Sequence, residues 1–295
     1  MAQKLVKGRA SLELRALGRT VLGWRHIRNW SLAELGELVG YSTATISEIS
    51  RAVIRPSPSD VLRIGAACHA PEDEIELCIR VAQRANDPLM WDRINGDAWA
   101  RLTWTPWDVM AEANELLIIA SEVVPELFRI STYHEALCQA GAATTGLNLD
   151  QQQSVQARLD MDAKEAARPG NHGPLHVRLL VTEAVLTDNV GGARTMIEQL
   201  GHLEDLTERT SFEFGVVDSS AGPYFGMNQS FTVMRFRAPR FDDVVLTRTL
   251  HDGDVWLESA VERAPYERAL LALNDVVRSR QDSSHWLSRA SLALQ

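Results

Sequence analysis

Residues 31–58 read SLAELGELVGYSTATISEISRAVIRPSP. Ser31 followed three residues later by Glu34 is a capping box, in which each side chain satisfies an orphan amide of a helix's first turn. Leu32, Leu35 and Val39 recur at helical spacing, and Gly40 supplies the permissive backbone at which that helix ends. Ser42 then opens a second helix, with Ile46 and Ile49 three residues apart and small polar residues on its outer face. Two short helices joined at a glycine predict a helix-turn-helix.

The surrounding segments extend this pattern. Residues 1–10 are polar and basic and read as a mobile arm. Leu14, Leu17, Val21 and Trp24 predict a first helix of about four turns. Arg55-Pro56-Ser57-Pro58 breaks the chain before a fourth helix, and His69-Ala70-Pro71 breaks it before a fifth that runs to about residue 85. Five helices over residues 1–85 make an all-helical first domain.

Composition sets outer limits. The 295 residues suffice for two domains, and no apolar run approaches the roughly 20 residues needed to span a bilayer. The N-terminus lacks the apolar core of a signal peptide, so a cytoplasmic protein without a membrane partner is expected. Cys68, Cys78 and Cys138 form neither a disulfide framework nor a metal knuckle, and each reads as a buried small hydrophobe. Charge is unevenly divided: residues 1–70 hold ten Lys or Arg against five acids, a balance of +5, whereas the whole chain is −9, leaving −14 for residues 71–295. A basic module on an acidic body fits a first domain that meets phosphate. A helix with small polar residues outward also fits the major groove, so double-stranded DNA is the expected partner.

Residues 86–106 are irregular and read as a linker; Trp91, Trp99, Trp104 and, just beyond, Trp107 make up four of the eight tryptophans. Their commoner role is packing; an aromatic ligand pocket or a dimer contact is the sharper reading. Residues 107–295 form the second domain. Helices are expected at about 107–121, 133–142, 151–167 and 192–206. The runs LHVRLLV, SFEFGVV, SFTVMRF and DVVLTRTL read as strands, and residues 265–287 as a C-terminal helix. The fold class is therefore mainly α, with a five-helix first domain and an α+β second domain built on a small sheet.

No catalytic constellation stands out. His172 and His176 are four apart, but they flank Gly-Pro and a strand start, where helical metal ligation fails. His134-Glu135 reads as a helix-surface pair. Neither a dinucleotide fingerprint nor a nucleophile elbow is present. No enzyme activity, metal or cofactor is expected.

With the capped helix pair and Arg51-x-x-x-Arg55-Pro56 in view, residues 12–80 resemble the lambda-repressor-like, Xre-type helix-turn-helix family. The resemblance implies that Ser42 starts the recognition helix and that Thr43, Ala44, Ser47 and Glu48 project toward base edges. Arg25, Arg28, Arg51 and Arg55 then fall near phosphates, and Ala33 and Gly40 where the two helices pack closely. Ser50 stands where the family commonly has Glu, and Ala52 where it has Gly. Such regulators bind as homodimers to two-fold sites, and repression is the expected sign.

Residues 107 to about 290 resemble an actinobacterial antitoxin-like regulator family. The landmarks are ASEVVPELFRISTYHEAL, VTEAVLTDNVGGARTMIEQLGHL and FEFGVVDSSAGPYFGMNQSFTVMRF, with Glu126 and Arg129-Ile130 departing from the family's Gly and Gln-Thr. The resemblance implies a small companion protein; a small-molecule effector is the other expectation. The alternative to a DNA-binding regulator is a factor that sequesters such a companion and binds DNA secondarily.

Overall fold

The computed structural model describes residues 3–4, 12–85, 110, 112–141, 149–160, 173–237, 242–249 and 253–294. It divides into two compact units. The first comprises Met1–Val109, Phe236–Asp243 and Thr249–Glu258; the second comprises Met110–Arg235, Val244–Arg248 and Ser259–Gln295. The unit that contains the helix pair is therefore not one continuous stretch of chain.

In the first unit the elements are β1 (Gln3–Lys4), α1 (Leu12–Ile27), α2 (Leu32–Val39), α3 (Thr43–Ser50), β2 (Ile54–Arg55), α4 (Pro58–Cys68) and α5 (Glu72–Ala85). The five helices stand where periodicity and caps put them. The arm differs: Gln3 and Lys4 pair antiparallel with Arg55 and Ile54, so backbone ladder bonds tie this part of it down. A strand, Gly253–Leu257, also belongs to this unit and was not foreseen.

The core of the first unit collects Leu14, Leu17, Val21, Trp24, Leu35, Val39, Ile46, Ile49 and Ile64, each at most 2 % exposed. Burial of such side chains stabilises by about 1.5–3 kcal/mol each, and conformational entropy offsets most of the total. Close packing rests on residues other than those expected. Ala33 is exposed and Gly40 has open space around it. Instead, a Cβ at Gly36 would meet the Tyr41 carbonyl oxygen at 2.5 Å, and one at Gly18 would meet the Ser50 and Ile49 carbonyl oxygens at 2.7 and 2.8 Å. Gly18 thus lets α1 lie directly against the backbone end of α3.

In the second unit five strands lie in the order β5–β4–β3–β6–β7: β3 (Glu115–Ala120), β4 (His176–Thr182), β5 (Phe212–Val217), β6 (Phe231–Arg235) and β7 (Val244–Thr249). The pairs β3–β4 and β4–β5 are parallel, whereas β3–β6 and β6–β7 are antiparallel. The parallel pairs need long crossovers. These contain α6 (Ser131–Gln139) and α7 (Leu149–Leu159) before β4, then α8 (Glu183–Thr187) and α9 (Ala193–Thr207) before β5. Helices α10 (Ala260–Leu273) and α11 (Arg280–Leu292) follow. The second unit is α+β with a mixed sheet.

Four expectations are corrected here. The helix at 107–121 is overturned over its second half, where ELLIIA is strand β3: five of its six residues are buried, so both faces are covered and the run lacks alternation. The single C-terminal helix is two. The first begins at Ala260, not at Pro265, because Ser259 and Glu262 form a capping box; Pro265 sits inside it. His134 is 4 % exposed, so it is not half of a surface pair. Cys68 and Cys78 are buried as expected, whereas Cys138 is exposed. Among the described residues, no helix is long and apolar enough to cross a membrane.

Candidate nucleic-acid interface

Helix α3 is framed by caps at both ends. Ser42 is its N-cap, with Oγ accepting from the Thr45 amide at 3.1 Å and lying 2.9 Å from Thr45 Oγ1. At the far end Val53 N–H reaches the Glu48 carbonyl at 2.8 Å and Ala52 N–H the Ile49 carbonyl at 2.9 Å. Those two bonds close a Schellman motif. Its left-handed position is occupied by Ala52 at φ 53°, a conformation that favours glycine. Ser50, where an ion-pairing Glu was the family expectation, is buried and donates to the Ile46 carbonyl at 2.9 Å.

The turn ahead of α3 is held from below. Tyr41 follows left-handed Gly40 (φ 73°), and its amide donates to the Gly36 carbonyl at 2.7 Å. Its hydroxyl makes a short hydrogen bond to Asp60 Oδ1, and Arg63 lies over its ring, 5.6 Å from the centroid, while donating to the Val39 carbonyl. Asp60 is fully buried and caps α4 by accepting from the Ser57 amide. Burial works against its charge, yet hydrogen bonds from Tyr41 and from the Ser57 amide and hydroxyl hold its carboxyl below the ordinary range. This Tyr41–Asp60 link went unforeseen; tyrosine and aspartate 19 residues apart give no local signal.

The predicted reading residues then fall into two groups. On α3, Ile46, Ile49 and Ser50 turn inward. Ser42, Thr43, Ala44 and Arg51 are exposed, and Ser47 and Glu48 are half-buried, so one helix brings them together on the solvent side. Arg51 folds its Nε back on the Ser47 carbonyl at 3.2 Å, at the negative end of the helix dipole. Arg55 lies just beyond, in β2, half-buried. Arg25 and Arg28 belong to the end of α1: Arg25 donates to the Trp30 carbonyl, and Arg28 Nε donates to the Cys68 carbonyl at 2.7 Å. Both guanidiniums therefore spend a donor on the backbone.

The compact unit also reaches beyond residue 70. Helix α5 brings in Glu72, Asp73, Glu74 and Glu76, so residues 1–85 hold twelve Lys or Arg against nine acids. Glu74 is turned to a structural use, accepting from Trp24 Nε1 at 2.7 Å. Trp91, Trp99, Trp104 and Trp107 lie outside the described residues, as does His172. Exposed His176 opens β4. Among the described residues, no three His, Cys, Asp or Glu side chains converge as a metal site.

Two known protein families match stretches of the chain. Residues 16–77 match a family described as Helix-turn-helix domain, and this stretch runs from within α1 into α5. No curated protein matches the chain. Residues 107–289, more than half of the chain, match the family described as Domain of unknown function (DUF5753), and this chain belongs to that family.

Proposed function

We propose that this chain is a non-enzymatic, DNA-binding transcriptional regulator that represses by occluding polymerase. It acts in the cytoplasm as a homodimer on a two-fold operator. The observation that carries the reading is α3, capped at both ends, anchored through Tyr41 and presenting Ser42, Thr43, Ala44, Ser47, Glu48 and Arg51 on one open face. Thr43 and Ala44 offer methyl groups to thymine, and Glu48 offers an acceptor to the cytosine amino group. No arginine stands mid-helix to grip guanine. Affinity therefore rests on phosphate contacts from Arg51 and Arg55, with Arg25 and Arg28 at the margin.

The second unit is the responsive part, taking a small-molecule effector or a companion protein. Phe225 (45 % exposed, with the Arg268 guanidinium 4.4 Å from its ring) and Met227 (47 %) lie between β5 and β6, and a companion protein is the occupant that would cover them. A stoichiometric small protein recovered with the tagged chain supports that reading, and specific DNA recovered without one supports an effector.

The decisive experiment is binding of the full chain to DNA upstream of its own gene at two salt concentrations. Affinity should fall by about tenfold or more between roughly 50 and 200 mM salt. Arg51→Ala should weaken all sequences alike and flatten the salt slope by about 1. Glu48→Ala should instead relax preference at one base pair. Salt-insensitive binding, or two variants indistinguishable from wild type, overturns the reading.

A further inference from the structure

Helix α6 carries an arrangement that DNA binding does not use. His134 and Cys138 are four residues apart and share one face of the helix. Cys138 Sγ lies 3.4 Å from His134 Nε2, and His134 Nδ1 lies 3.4 Å from Arg129 Nη1. A guanidinium can only donate, so Nδ1 accepts, and a neutral ring then carries its proton on Nε2, facing the sulfur. Arg129 is itself held by donating from Nε to the Val124 carbonyl at 2.7 Å. His134 is 4 % exposed, whereas Cys138 is an exposed residue. A thiol on an exposed residue, a ring N–H directed at its sulfur and a third group orienting that ring are the ingredients of a sulfur whose developing charge is met by a fixed donor. The other two cysteines are buried, and burial pushes the Cys68 thiol up and the Cys78 thiol up to about 12.

We propose that Cys138 is a covalent modification site for small peroxides, with His134 and Arg129 as its positioning residues. The sulfur attacks one peroxide oxygen; the S–O bond forms as the O–O bond breaks. With hydrogen peroxide, the thiol proton and the departing hydroxide leave together as water. Cysteine is thereby oxidised to sulfenic acid and the peroxide is reduced. The Nε2–H of His134 faces the charge that the sulfur carries as it attacks. Arg129 keeps the ring from turning away.

The test is peptide mapping of the full chain after brief treatment with limiting hydrogen peroxide and a sulfenic-acid trap, with glutathione as the reference thiol. Cys138 should carry the adduct, at least about tenfold faster than glutathione, with Cys68 and Cys78 unlabelled. His134→Leu should lower the rate about tenfold, and His134→Gln, which retains an N–H in that place, should restore most of it. Circular dichroism checks that each variant is folded. A Cys138 no faster than glutathione overturns the proposal, as does a folded His134→Leu chain that reacts like wild type. Should that variant not fold, the wild-type ratio to glutathione decides alone. None of these readouts depends on DNA.

Discussion

At the scale of single residues, two positions in the first unit carry opposite signs. Gly18 has no room for a side chain, since a Cβ would sit 2.7 Å from the Ser50 carbonyl oxygen. Gly18→Ala should therefore push α1 off the end of α3 and destabilise by about 1–3 kcal/mol in urea unfolding, with DNA affinity falling alongside. His69 ends α4 in the left-handed region at φ 50° and is exposed. Glycine adopts that backbone without strain, so His69→Gly should stabilise by about 0.5–1 kcal/mol, less what the unfolded chain gains in freedom. Ala52 shares the conformation but buries its methyl group, which makes it a poorer place for the same change.

Among the elements, the ends of α1 and α4 make stability depend on pH in opposite directions. Glu258 Oε2 accepts from the Leu12 amide at 2.9 Å, capping α1 from 246 residues away. Burial raises this carboxyl to about 7, the Leu12 amide and Arg15 working against the rise and Glu13 and Asp242 adding to it. The contribution of a raised carboxyl is fully present below the unfolded value near 4.5 and is lost as pH rises through about 7. The urea midpoint of the first unit should thus fall between about pH 5 and 8, and Glu258→Gln, which keeps an acceptor, should remove that fall. Asp60 works the other way. Its lowered carboxyl contributes above the ordinary carboxylate range, and that contribution is lost in acid. Tyr41→Phe removes one donor from this buried carboxylate and should cost about 1–3 kcal/mol near neutral pH.

For the molecule as a whole, the first unit's dependence on distant chain is the main consequence. Phe236–Asp243 and Thr249–Glu258 fold with the helices, and besides Glu258 they supply Phe236, whose ring lies 4.5 Å from the Arg15 guanidinium. A fragment of residues 1–85 lacks both contacts. It should retain its helical circular dichroism but unfold at a lower urea concentration than the first unit does within the full chain. The sequence by itself determined the five helices and where α2, α3 and α4 start, because Ser31, Ser42 and Ser57 cap within three residues, and it determined where α2 ends, because Gly40 turns locally. Only tertiary structure decided that ELLIIA is a central strand, since an apolar run buried on both faces carries no period. The same holds for Gly18 against α3, Tyr41 on Asp60 and Glu258 on Leu12. Each joins residues too far apart in sequence for any local preference to encode the contact, so it exists only once the chain has packed.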